Sequence, residues 1–147
     1  MRTHVTFRHP AEFVGDEEDG AGVLAVSGVR WFTSLLRRVP GLQLDEELCQ
    51  EDWGVVIFAR RNQKQFWVGL SAWDFEGVWV AHFHHRSFAW IQSLTATGKS
   101  ELRRLLADVH DVLASEPVIT AINWHEDGEM SKPNPTVSRN PDKAAGG

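Results

Sequence analysis

The chain has no tyrosine, a single cysteine and no long apolar run. Each absence narrows what it can be. With only Cys49, an internal disulfide and any zinc site built from several thiolates are excluded. A lone thiol suits a reducing compartment. No stretch approaches the ~18 consecutive apolar residues of a membrane-spanning helix. Residues 1–12 carry Arg2, His4, Arg8, His9 and Glu12, so the basic-then-apolar order of a secretory signal is missing. The expectation is a cytoplasmic protein that does not engage a membrane. A net charge of −5 leaves no basic stripe to displace counterions, which argues against nucleic acid as a partner.

What is present is an ordinary globular composition with an unusual aromatic content. The 147 residues include 42% hydrophobic residues, enough for one domain with a substantial core. The patterned region is residues 1–126, read as a single α+β domain. From residue 127 to 147 the chain is polar and carries Pro133, Pro135 and Pro141, the composition of a tail. Seven tryptophans stand out, because tryptophan is enriched at interfaces as well as in cores.

The pattern predicts elements in the order β-α-β-β-β-α-β. Residues 3–8 alternate as a strand with Val5 and Phe7 on one side. Val29, Phe32, Leu35, Leu36 and Val39 form the stripe of a helix stopped by Pro40-Gly41. Residues 53–60, 66–73 and 78–85 are β-rich, joined by Arg61-Asn62-Gln63-Lys64 and by a turn at Asp74 to Gly77. Residues 87–98 read as irregular. A second helix is expected from about Ser100 to Ser115, ended by Pro117, and a last strand from Val118 to Trp124. Together these predict an antiparallel sheet with a central three-stranded meander and two helices packed on one face.

Tight turns would set Phe58 opposite Trp67 and Gly69 opposite His82, and side-chain alternation then sorts the meander into two faces. Trp53, Val55, Ile57, Ala59, Phe66, Val68, Leu70, Ala72, Trp79, Ala81 and Phe83 fall on an apolar face that should carry the core. The other face gathers Trp67, Gly69, Ser71, Trp73, His82 and His84, a shallow dip with tryptophan walls beside histidines. Contiguous apolar patches are unusual on monomers, so this face calls for a cover from elsewhere in the chain or for a binding partner. These six residues are the candidate binding site.

His82 and His84 share a strand face, the spacing by which two imidazoles can grip one metal, but a stable site needs a third ligand. His4, His125, Asp74, Glu76 and Glu126 qualify by residue type only, so the expectation is no metal and no cofactor. The cupin family also sets His-x-His on a strand, but Phe88 and Ala89 stand where its glutamate would follow. Gly98-Lys99-Ser100 lacks the earlier glycine of a phosphate-binding loop, since Ser93 occupies that place. Cys49 lies among Glu46, Glu47, Glu51 and Asp52, which should raise its thiol pKa and disfavour nucleophilic chemistry. The basic tip Arg60, Arg61 and Lys64 would be solvated or meet an acidic partner.

Arg30-Trp31-Phe32 in a helix ending Val39-Pro40, Glu51-Asp52-Trp53-Gly54 opening a meander, and Ile122-Asn123-Trp124 in a late strand give residues 25–126 a pattern. In this pattern the chain resembles small, acidic, tryptophan-rich bacterial immunity proteins that neutralise polymorphic toxins. The resemblance implies a cytosolic, non-catalytic inhibitor that occludes a basic toxin domain through a preformed surface. The partner expected is a protein, or a second copy of the chain. Two other readings stay open: a small metal-dependent enzyme using His82 and His84, and a small-ligand carrier using the tryptophan-walled dip.

Overall fold

The computed structural model of the chain describes residues 1–9, 26–72, 77–86, 96–126, 128, 137–138 and 141. The elements are β1 (Arg2–Arg8), α1 (Val26–Leu36), β2 (Gln43–Glu51), β3 (Gly54–Arg61), β4 (Lys64–Ala72), β5 (Val78–His85), α2 (Ala96–Ala114), β6 (Thr120–Glu126) and β7 (Val137–Ser138). The strands form one antiparallel sheet in the order β2-β3-β4-β5-β1-β6-β7. The α+β class, the meander and the pair of helices agree with the sequence reading. The first strand closes the design by inserting between β5 and β6.

Alternation along the strands divides the sheet into two faces. Val5, Phe7, Ile57, Ala59, Phe66, Val68, Leu70, Ala81, Phe83 and Trp124 point to one side and are at most 2% exposed. Phe32 and Leu36 of α1 meet them there, with Leu105, Leu106, Val109 and Leu113 of α2, in a single apolar cluster. Each large side chain fully withdrawn from water contributes about 1.5–3 kcal/mol, so this layer dominates the stability. Both helices therefore lie on one face; the opposite, outer face is not bare, since Thr6, Val80 and His125 on it are also buried.

The meander registers are those the turns require: Phe58 pairs with Trp67, and Gly69 with His82. At the β3–β4 turn Asn62 and Gln63 have φ of 49° and 64°, the left-handed pair that matches the twist of a two-residue hairpin. This tip is anchored. Arg61 Nε lies 3.0 Å from Glu101 and its Nη2 2.7 Å from Asp108, while Asn62 Nδ2 donates to Glu101 at 3.2 Å. Arg61 therefore belongs to an internal ion pair with α2, not to a solvated or partner-seeking cluster.

Three sequence expectations need correction, and one strand was not among them. β2 has no counterpart among them: its residues are exposed along most of its length, so no burial pattern marked it. Trp53 is not on the core face. It sits in the two-residue connection between Glu51 and Gly54, outside the strand period, and is 41% exposed. α2 begins at Ala96, ahead of Ser100, with the poor helix former Gly98 buried inside its first turns. β6 runs two residues later than expected at each end, to Glu126. Of the tail, Val137 and Ser138 pair with His125 and Trp124.

Candidate functional site

Strand pairing carries the outer face straight across the sheet. One row passes through Cys49, Val56, Gly69, His82, His4 and His125, each residue the register partner of the next. The neighbouring row holds Phe58, Trp67 and His84. Three histidines from three adjacent strands thus stand side by side, because β1 lies between β5 and β6. Side chains opposite one another across an antiparallel pair sit ~5 Å apart, so these imidazoles are held together by the backbone.

The rings of His4, His82 and His84 form one continuous cluster. His4 stacks on His82 with centroids 5.2 Å apart and planes 7° from parallel. His84 meets both edge-on, at 5.6 Å from His4 and 5.2 Å from His82. Trp67 stacks on His84 at 4.4 Å and meets His82 edge-on at 5.1 Å. Trp53 comes within 5.2 Å of His82 from the β2–β3 turn. Arg86 caps the next row, its guanidinium carbon 4.5 Å above the Phe58 ring.

Gly69 is what lets His82 lie flat. A Cβ at this position would stand 2.1 Å from His82 Nε2 and 2.4 Å from its Cε1. The dip expected from Gly69 is therefore filled by the imidazole, whose Nδ1 faces away from Gly69 and hydrogen-bonds His84 Nε2 at 3.1 Å. At the far side Thr3 Oγ1 contacts His4 Nδ1 at 3.1 Å. Ring nitrogens of His4, His82 and His84 all come within 4.8 Å of one another, and all three residues are partly buried.

Beside this cluster the electrostatics favour neutral imidazoles. Burial pushes the His125 pKa down, with a further contribution from nearby Arg2. Its Nε2 lies 2.9 Å from Thr6 Oγ1. Burial, then Lys64 and His84, also lower His85, which packs against Phe66 on the core side. Both His85 ring nitrogens are buried without a hydrogen-bond partner among the described residues. A hydrogen bond to Glu51, with burial and the Glu51 charge, raises the Cys49 thiol, as the acidic sequence around it leads one to expect. An exposed thiol held in its protonated form is a poor nucleophile.

Of the six candidate residues, Trp67, Gly69, His82 and His84 converge on the cluster, and Ser71 lies one row away, opposite Val80. Trp73 falls outside the described residues, as do Asp74 and Glu76. His4 is the residue that sequence could propose only by type. In the structure it lies on the face opposite Val5 and Phe7, and nothing local in the sequence places β1 against β5. Trp53 was missed because turn residues escape strand alternation. A separate cleft of about 570 Å³ opens at the end of α2, lined by His110, Ile119, Thr120, Ala121, Ile122 and Asn123. There His110 Nδ1 accepts a hydrogen bond from Trp124 Nε1 at 3.1 Å.

Fold and face together define an α+β protein whose antiparallel sheet buries one side under two helices and presents an aromatic and imidazole cluster on the other. No helix among the described residues is long and apolar enough to cross a membrane. Comparison with protein-family models, with curated proteins and with solved structures returns no match.

Proposed function

We propose that the chain is a non-catalytic protein-binding module, most concretely a cytosolic immunity protein that occludes a basic toxin domain. The observation that supports this most is the border strand β2. Among the described residues it pairs only with β3, and its stretch from Gln43 to Trp53 carries Asp45, Glu46, Glu47, Glu51 and Asp52 without one cation. Register breaks between Leu44 and Leu48, so the three consecutive acids bulge away from β3. A like-charged border opposes pairing with a second copy and admits a basic strand or loop. Leu48 and Trp53, at 43% and 41% exposure, supply apolar anchors beside these charges.

Co-expression tests this reading. The full chain should co-purify one-to-one with a toxin domain of basic charge and protect cells that express it. The double substitution Glu46→Lys, Glu47→Lys at exposed positions leaves three acids and two bases in the border stretch and should cut association at least about tenfold, chiefly through a slower on-rate. A chain that neither forms the complex nor protects, or a double substitution without effect on both, would sink the proposal.

A further inference from the structure

The outer-face imidazoles support a second role that stands apart from protein binding. We infer that His4, His82 and His84 form a site for one divalent transition-metal ion of the class that prefers imidazole, such as zinc, cobalt, nickel or copper.

The geometry is close to that of a bound site. A tetrahedral ion with metal–nitrogen bonds of about 2.0–2.1 Å holds its ligand nitrogens roughly 3.3 Å apart. His82 Nδ1 and His84 Nε2 already stand 3.1 Å apart. The third nitrogen, from His4, completes a set within 4.8 Å, so closure asks for a ring shift of no more than roughly 1.5 Å. His4 must also turn out of its stack on His82, with which it is parallel to within 7°, because each imidazole ligates only in its own ring plane.

Neighbouring groups decide which atoms bind. Because the His82 ring lies over Gly69 with Nε2 inward, Nδ1 is the ligating atom of His82. Thr3 Oγ1 engages His4 Nδ1 at 3.1 Å, a polar neighbour of the kind that orients a ligating histidine. Trp67, stacked on His84 at 4.4 Å, restrains the third ring. His82 and His84 come from one strand and His4 from its partner, so the backbone register itself preorganises the set.

Ligand chemistry selects the ion. Three neutral nitrogens suit borderline first-row ions, whereas calcium and magnesium require oxygen ligands. Three protein ligands leave a fourth position for water or an outside ligand, as catalytic centres do and closed structural sites do not. The site needs no thiolate, so the distant, exposed Cys49 has no part in it.

The test uses the full chain without a histidine tag, stripped with chelator and titrated with zinc against a competing indicator. One equivalent should bind saturably, and cobalt should give the intense visible bands of a tetrahedral site. His4→Gln and His84→Gln should each weaken zinc binding at least about tenfold, the scale at which even orienting residues act. His110→Gln, in the separate cleft, should leave it unchanged. Long-range nitrogen NMR of the wild-type imidazoles provides a readout that needs no variant: zinc should shift ring nitrogens of His4, His82 and His84 together. Absence of saturable one-to-one binding, or binding that His4→Gln and His84→Gln leave intact, overturns the site. Neither outcome touches the toxin co-purification, so the two proposals fail separately.

Discussion

His82 owes its place to a residue without a side chain. Any substituent at Gly69 would collide with the imidazole at 2.1 Å, and the neighbouring rings of Trp53, Trp67, His4 and His84 all take their positions around His82. Sequence alternation placed Gly69 opposite His82 correctly, but reading the glycine as an open dip overlooked that the facing ring would fill it. Trp53 shows the opposite limit, since a turn residue obeys no strand period. The same scale governs the response to acid. Burial holds the pKa of His9, His85 and His125 below the ordinary imidazole value near ~6.5, with charges adding to it for His85 and His125. The folded state thus prefers the neutral form. Its contribution to stability is complete above about pH 6.5 and is lost as pH falls through the lower folded values. Urea midpoints should be flat from about pH 8 to pH 7 and should drop below about pH 6.5, and His85→Phe should shrink that drop. A midpoint that holds steady down to about pH 5 would contradict this account.

Elements were legible in proportion to how one-sidedly they are buried. The meander and both helices show their period because one side of each meets the core. β2 does not, since it is exposed along most of its length and, among the described residues, its only strand partner is β3. The β3–β4 hairpin was readable from its polar loop, but its anchoring on α2 was not, because Arg61 and Glu101 lie forty residues apart. Its turn also carries a removable strain. Gln63 sits at φ 64°, a conformation that costs a side-chain-bearing residue roughly 1 kcal/mol and costs glycine almost nothing. Gln63→Gly should therefore stabilise the protein by about 0.5–1 kcal/mol in chemical denaturation, with the Asn-Gly pair favoured by such hairpins. A loss of stability would show that the Gln63 side chain makes a contribution of its own.

At the scale of the molecule, the first strand joins the meander to the strands that follow α2. β1 and β6 pair with each other, and Trp124 fills the core between β6 and α2, fully buried, with its indole nitrogen tied to His110. Trp124→Ala should cost about 3–5 kcal/mol through the cavity it leaves and the lost hydrogen bond. That is a large share of the ~5–15 kcal/mol typical of a domain, so the thermal midpoint should fall by many degrees. A small change would mean that neighbouring side chains collapse into the space.

By itself the amino-acid sequence determined the α+β class, the two faces of the meander and its register. These follow from local alternation, helical spacing and turn chemistry, all read within about ten residues. Only the tertiary structure decided that β1 lies between β5 and β6 and so brings His4 against His82. Pairing between residues seventy or more positions apart is set by burial of the whole sheet under two helices, and no local pattern encodes it. The histidine pair was visible in the sequence; its third member was supplied by the fold.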